Sequence, residues 1–142
     1  MKIILAALTA GLFLQFSPVA TSAAVLVAKI DLGSQTMTVS KNGLVKYRWK
    51  VSTARKGYVT PTGSWRAKWL SRYHRSSKYE NAPMPFAVFF TGDYAVHGTY
   101  DLRRLGRRAS HGCIRLHPNN AAAFFSMASK VGLANTRIVI TR

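Results

Sequence analysis

The sequence has 142 residues, enough for one domain, and its 48% hydrophobic and 18% charged content is typical of a globular protein with a core. It carries 21 Lys and Arg against 4 Asp and Glu, a formal charge of +17, so paired-carboxylate chemistry and an acidic metal cage have very few candidate residues. The single cysteine, Cys113, excludes an intramolecular disulfide framework and a cysteine-rich zinc module.

The first 23 residues have the order of a signal peptide. The basic pair Met1-Lys2 precedes an apolar run from Ile3 to Phe16, and small residues follow at 20–24. The run is about 14 residues long, whereas a membrane-spanning helix needs about 20, so a retained transmembrane anchor is the weaker interpretation. The sequence therefore predicts a signal peptide over 1–23, a domain over 24–142, and an exported protein of the periplasm or cell wall.

Short segments rich in β-branched residues follow the signal peptide. Residues 25–30, 36–40 and 44–51 predict a β-meander, and Asn42-Gly43 between the last two favours a type I′ hairpin turn. The pattern is lost from Ser52 to Pro85, where glycine and proline recur. We interpret that stretch as a long functional loop, which carries Trp65, Trp69, Tyr73 and Tyr79.

The second half adds three strands and one convincing helix. Strands are predicted at 86–90, 94–97 and 137–141. The helix begins after Pro118-Asn119-Asn120, with Asn as its cap, and ends at Gly132. Its apolar residues recur at helical spacing: Ala121, Phe124, Phe125, Ala128 and Val131. The residues thus predict a mainly β domain with one packed helix.

The reactive side chains concentrate between His97 and Arg115. Exported proteins normally pair their cysteines or lack them, so the unpaired Cys113 needs a reason. A free thiol has a pKa near ~8.5 and becomes a good nucleophile when an imidazole takes its proton. Gly112 allows a tight turn that brings amide groups toward a reacting carbonyl, and Arg115 shares a face with Cys113 if 113–116 is extended.

Two other interpretations of these residues stay open at this point. Each residue alone has a structural explanation, such as a buried cysteine, a core histidine or a solvated arginine. A zinc site from His97, His111, Cys113 and His117 uses legitimate ligand types. It is disfavoured because no second carboxylate or His-x-x-x-His helix face accompanies them.

The arrangement resembles the signature of the YkuD-type L,D-transpeptidases. The resemblance rests on His97-Gly98-Thr99, on Gly106, and on the run Ser110-His111-Gly112-Cys113-Ile114-Arg115. Further segments stand in the order that this family shows, and the resemblance covers roughly residues 24–142: Ser52-Thr53-Ala54-Arg55, Gly57-Tyr58, Thr60-Pro61-Thr62-Gly63, Ala82-Pro83-Met84-Pro85 and Asn135-Thr136-Arg137.

The resemblance implies a mainly β fold of mixed sheets, sandwich-like or barrel-like, with one or two packed helices. It implies acyl transfer on peptidoglycan stem tetrapeptides, with Cys113 as nucleophile and His97 as base and acid. Gly98 would hold the His97 ring through its carbonyl, and Arg115 would assist thiolate or substrate. Ser110, His111 and Gly112 would shape the loop and the oxyanion site. No metal or organic cofactor is implied.

The partners and the reaction follow as expectations. Cys113 would attack the carbonyl of an L-configured centre, and an acceptor amine on a second stem or on an outer-envelope protein would resolve the thioester. A hydrolase on the same scaffold, such as an L,D-carboxypeptidase or amidase, and a non-enzymatic cationic wall-binding protein are the alternatives. Basic residues crowd the loops, where Arg103, Arg104, Arg107 and Arg108 lie together, and favour anionic partners. Export argues against nucleic acid, and signal cleavage would leave no transmembrane anchor.

Overall fold

The computed structural model describes residues 14–18 and 25–142. The predicted signal peptide, residues 1–23, lies outside the described residues except for 14–18, which have no regular secondary structure. Within these ranges the elements are β1 (Leu26–Asp31), β2 (Thr36–Lys41), β3 (Leu44–Lys50), β4 (Gly63–Arg66), β5 (Trp69–Arg75), β6 (Pro83–Thr91), β7 (Tyr94–Gly98), β8 (Ile114–Leu116), the helix α1 (Pro118–Val131) and β9 (Thr136–Thr141). Short 3-10 turns cover Leu102–Arg104 and Leu133–Asn135. No helix among the described residues is long and apolar enough to cross a membrane.

Five strands form the first sheet, in the order β3-β2-β1-β9-β4. The predicted antiparallel meander is present as β1, β2 and β3. The turn between β2 and β3 has positive φ at Asn42 (51°) and Gly43 (79°), as a type I′ turn requires. The last strand, β9, runs parallel to β1, so the sheet is mixed.

The second sheet has the order β5-β6-β7-β8, with β8 parallel to β7. Buried side chains of both sheets and of α1 form one core, in which Phe90 and Phe124 are the largest fully buried residues. Burying such a side chain stabilises the fold by about 1.5–3 kcal/mol. The prediction of a mainly β, mixed-sheet domain with a packed helix is confirmed.

The predicted long loop from Ser52 to Pro85 is wrong in part, because it contains β4 and β5 and the start of β6. Both β4 and β5 lie at sheet edges, where most side chains stay exposed and no apolar alternation is needed. Pro83 and Pro85 are tolerated in β6 because β7 pairs only with its later residues, from Val88 to Thr91.

The helix ends at Gly132 as predicted, but its N-cap is His117 rather than an asparagine. The imidazole Nδ1 of His117 accepts a hydrogen bond from the Asn119 amide at 3.1 Å, and Pro118 occupies the first helical position. The buried face of α1 consists of Ala121, Phe124, Phe125 and Ala128, four of the five predicted apolar residues.

Candidate active site

A cavity of about 810 Å³ contains most of the residues that the sequence singled out. Cys113, His97, Arg115, His111 and Ser110 all line it. The segment between β5 and β6 forms a further part of the wall through Ser76, Lys78, Tyr79, Glu80 and Ala82. Part of the 52–85 region, which the sequence predicts to be functional, therefore lies in the wall of this cavity.

The parallel pairing of β7 and β8 brings the reactive residues together. His97 stands opposite Arg115 in register, and Cys113 immediately precedes β8. Since alternate residues of a strand share a face, Cys113 and Arg115 project on the same side of the sheet as His97. The conditional prediction of an extended segment after Cys113 is confirmed for Ile114–Leu116.

His97 is 5% exposed, and its protonation state follows from its contacts. Nδ1 lies 2.6 Å from the carbonyl oxygen of Gly98. A carbonyl only accepts hydrogen bonds, so Nδ1 carries the proton and Nε2 keeps its lone pair. Burial, together with the nearby charge of Arg115, lowers the pKa of His97 to about 4 despite the favourable Gly98 contact. The ring is therefore a neutral base at pH 7.

The thiol of Cys113 is half-buried and protonated at rest. Burial raises its pKa, although the Ala95 backbone and the Arg115 charge act in the opposite direction. Sγ donates to the Asp93 carbonyl oxygen at 3.6 Å, a weak contact. No hydrogen bond joins Sγ to the His97 ring in the described part of the chain, so proton transfer between them needs a rearrangement when a substrate binds.

Two glycines shape the site for steric reasons. Gly112 has φ of 139°, and a Cβ there would lie 2.6 Å from Cε1 of Tyr94 and 2.8 Å from the Val59 carbonyl oxygen. A Cβ at Gly98 would lie 3.0 Å from Cγ of Pro85 and 3.1 Å from Cα of Pro118. A larger residue at position 112 would displace the loop that carries Cys113, and one at position 98 would displace β7, which carries His97.

Side-chain hydroxyls fix the loop that carries Cys113. Ser110 accepts from the Gly112 amide at 3.0 Å and donates to the Cys113 carbonyl at 2.7 Å. Thr60 donates to the Gly112 carbonyl at 2.7 Å and accepts from the Ala54 amide at 3.0 Å. In the sequence Thr60 stands only as part of a Thr-Pro-x-Gly motif, and nothing there indicates this anchoring contact.

The second imidazole of the cavity, His111, is held by three neighbours. Its ring stacks on Tyr79 with centroids 3.9 Å apart, and Tyr58 meets it edge-on at 4.8 Å. Nη2 of Arg55 lies 3.1 Å from its Nε2 and can only donate to it. Partial burial and the Arg55 charge lower the pKa of His111. Neither Arg55 nor Tyr79 was predicted as a site residue, and no spacing pattern in the sequence connects them to His111.

Arg115 is half-buried beside the thiol. Its backbone pairs with Ser52, and Nη1 donates to the Ala109 carbonyl at 3.4 Å. Burial lowers its pKa, and the Arg104 and Arg55 charges add to this. A guanidinium nevertheless stays charged throughout the physiological pH range, so Arg115 places a permanent cation in the cavity wall.

The distribution of carboxylates is uneven. Three of the four acidic residues of the chain line this cavity, namely Glu80, Asp93 and Asp101, whereas Asp31 lies in β1. Asp101 forms an exposed ion pair with Arg104 at 3.2 Å. In the sequence the four carboxylates are only too few for paired-carboxylate chemistry, and nothing in their spacing indicates a common location.

The zinc interpretation finds no support in the geometry. Over residues 14–18 and 25–142, no three His, Cys, Asp or Glu side chains come close enough to hold a metal ion. His117, the fourth ligand in that interpretation, uses its Nδ1 to cap α1.

Comparison with known proteins matches most of the chain to a protein family. Residues 26–140 match the YkuD family, described as the L,D-transpeptidase catalytic domain. The chain is 25% identical over 117 residues to the YkuD protein of Bacillus subtilis (strain 168), covering 80% of this chain and 64% of that protein.

Solved structures show the same similarity. The LD transpeptidase LdtMt1 in complex with imipenem superposes with a TM-score of 0.73 and 27% identity, over 82% of this chain and 59% of that chain. An L,D-transpeptidase from Mycobacterium smegmatis gives a TM-score of 0.73 and 26% identity, over 84% of this chain and 59% of that chain. The chain thus spans less than two thirds of these relatives.

Proposed function

Because this chain belongs to the YkuD family of L,D-transpeptidase catalytic domains, we propose that it transfers acyl groups between peptidoglycan stem peptides through a thioester on Cys113. One observation carries the proposal. The single thiol and a buried imidazole with a free Nε2 line the same cavity. That pair supplies a nucleophile and a base that is neutral at physiological pH.

The first half-reaction forms the thioester. When the donor stem displaces the thiol from the Asp93 carbonyl, Nε2 of His97 takes the Sγ proton and the thiolate attacks the carbonyl of the L-configured centre. The carbon–nitrogen bond to the terminal D-residue then breaks, and the imidazolium returns its proton to the leaving amine. Because the Gly112 amide is already bonded to Ser110, the Cys113 amide is the better donor to the developing oxyanion.

Arg115 contributes a fixed positive charge to this step. It faces His97 in register, and its charge favours ionisation of the thiol. The same guanidinium can pair with a carboxylate of the donor stem, since bidentate carboxylate binding suits its geometry.

The second half-reaction passes the acyl group to an amine, and the cavity's carboxylates support an amine acceptor. Glu80, Asp93 and Asp101 attract a protonated primary amine, of the kind found on a second stem or on an outer-envelope protein. Water takes one proton from the ammonium, and the neutral nitrogen attacks the thioester carbon while Nε2 of His97 takes its second proton. The carbon–sulfur bond then breaks, and the Cys113 thiolate receives that proton from the His97 imidazolium. This chemistry requires peptidoglycan, so the proposal includes export to the periplasm or cell wall.

The test is incubation of the purified chain with a stem tetrapeptide and an amine acceptor, read by mass spectrometry. Acyl-enzyme on Cys113 and a cross-linked product would support the proposal. Free tripeptide without cross-link would make the protein a hydrolase. Since a relative is known in complex with imipenem, the same drug serves as an independent probe of the thiol. Absence of any adduct on the wild-type chain, judged against Cys113→Ala, would leave a non-enzymatic binding protein.

A further inference from the structure

The outer face of the first sheet carries cations in a fixed pattern. Leu26, Ala28 and Ile30 of β1 are fully buried, so their alternates face outward. Register then places the outward residues of neighbouring strands side by side. One row is Val45, Ser40, Val27, Arg137 and Arg66, and the next row is Arg48, Thr38, Lys29, Val139 and Ser64.

We call Lys29, Arg48, Arg66 and Arg137 the basic face. Two side-chain contacts agree with the register, because Arg48 lies 3.5 Å from the Thr38 hydroxyl and Arg137 donates to the Ser64 hydroxyl at 2.9 Å. The one carboxylate on this side, Asp31, lies in a third row whose far end holds Lys50. The two rows of the basic face therefore contain no acidic residue.

No cation of the basic face has an ion-pair partner among the described residues, and Asp31 acts on Lys29 only through longer-range attraction. The only ion pair among the described residues joins Arg104 to Asp101, and Asp101 lines the cavity beside the second sheet. Like charges held on one face repel each other, and a bound polyanion relieves that repulsion. Arginine in particular matches phosphate oxygens with two parallel hydrogen bonds.

We propose that the basic face binds a linear phosphodiester polymer of polyol units, and holds it on the side of the molecule away from Cys113. The face measures about 19 Å across four strand spacings, which suits an extended chain. Its small hydroxyl residues add hydrogen bonds to phosphate between the cations. A polymer bound there leaves the cavity free, because the cavity residues belong to the second sheet and its loops.

The composition of the basic face does not suit nucleic acid or a bilayer surface. Nucleic acid binding without sequence preference uses aromatic side chains that stack on bases, but the aromatic residues of this sheet lie on its opposite face, where Tyr47 at the edge strand is 43% exposed. Tyr47 and Trp49 stand opposite the buried Val39 and Met37, and Trp65 stands opposite the buried Ile138. A bilayer surface favours inserted aromatic or long aliphatic side chains, and the rows contain only valines as apolar residues.

The experiment measures binding of the full chain to soluble poly(glycerol phosphate). The variant K29Q/R48Q/R66Q/R137Q removes the basic face. The matched control K56Q/K68Q/K130Q/R142Q removes four exposed cations that lie outside both the basic face and the arginine-rich loop, and none of them makes a side-chain hydrogen bond in the described structure. We expect the face variant to bind about tenfold more weakly or worse, and the control to change by less than about threefold.

Equal losses in both variants would reduce the effect to net charge and overturn the proposal, as would no loss in the face variant. Tighter binding of duplex DNA, or of vesicles with equal parts phosphatidylcholine and phosphatidylglycerol, would overturn the choice of polymer. Because Arg66 and Arg137 also bond to neighbouring groups, K29Q/R48Q is the second variant if the thermal transition of the quadruple variant is lost. The outcome is independent of turnover at Cys113.

Discussion

The Arg55 guanidinium lies 3.1 Å from Nε2 of His111, so the nitrogen that a base would need already accepts a hydrogen bond. His97 presents the opposite arrangement, because its Nδ1 is bonded to Gly98 and its Nε2 has no hydrogen-bond partner among the described residues. The two imidazoles of the cavity therefore differ in which ring nitrogen is available to accept a proton. In the proposed mechanism we therefore assign proton transfer to His97 and expect His111 to act as a positioning residue of the cavity wall.

Substituting each histidine tests this assignment. We expect His97→Ala to lower turnover by about 10²–10⁴-fold, the usual cost of losing a general base. His111→Phe keeps a ring against Tyr79 and should cost much less. Steady-state rates on a stem tetrapeptide, with thiol alkylation followed across pH, measure both. If His111→Phe proves the more damaging change, the roles are reversed and His97 is structural.

The depressed pKa of His97 also predicts a pH dependence of stability. The unfolded chain binds a proton at this residue below its ordinary pKa of 6.5, whereas the folded chain excludes it until about pH 4. The free energy of unfolding therefore falls as the pH decreases from 6.5 to 4, by about 3 kcal/mol in total. Above pH 6.5 both states are neutral and the contribution of His97 is constant.

Urea unfolding at pH 7 and at pH 4 checks this expectation against His97→Gln. The variant has no imidazole at this position, so its stability should fall by about 3 kcal/mol less between the two pH values. The other histidines remain in both proteins and cancel in the comparison. Identical losses in the two proteins would mean that His97 takes up its proton without cost.

Gly112 gives a steric prediction. Gly112→Ala places Cβ against Tyr94 and the Val59 carbonyl at a positive φ, so we expect a loss of about 1–3 kcal/mol in stability and most of the acylation rate of Cys113. Gly57→Ala is the matched control, since φ is +89° there but no atom lies within 4 Å of the added carbon. Thermal unfolding measures the stability of the two variants, and the rate of imipenem acylation measures the reactivity of Cys113 in each. Equal effects would show that backbone strain alone, without the clash, accounts for the result.

What the sequence could predict depended on how local the signal is. The type I′ turn at Asn42-Gly43 and the apolar stripe of α1 are encoded in adjacent residues, and both predictions were right. The edge strands β4 and β5 were missed, because a strand with few buried side chains needs no alternation. The ring of Trp69 in β5 stacks on the ring of Phe89, with centroids 3.8 Å apart, and this partner lies 20 residues further along the chain.

The candidate site shows the same division. His97 and Cys113 stand in recognisable local motifs, and the parallel pairing of β7 with β8 brings them into one cavity. Arg55 and Tyr79 reach His111 only through tertiary packing, so no spacing in the sequence identifies them. The N-cap was misassigned for a related reason, since Asn is the commoner cap and only the fold shows that His117 accepts the Asn119 amide.

The carboxylates of the cavity give a prediction about the proposed choice between an amine and water as acceptor. Glu80 and Asp93 line the cavity without an ion-pair partner among the described residues, so their charges are available to a cationic acceptor. We expect Glu80→Gln/Asp93→Asn to raise the KM for the acceptor amine several-fold and to shift the products toward hydrolysis, because local attraction concentrates the amine near the thioester. Asp31→Asn, which removes a carboxylate outside the cavity, is the control.

Acylation by the donor stem should not slow in the double variant, since removing the Asp93 charge favours thiolate formation at Cys113. Product ratios by mass spectrometry over a range of acceptor concentrations measure the shift. An unchanged ratio, or an equal change in Asp31→Asn, would mean that the acceptor is positioned by contacts other than these charges.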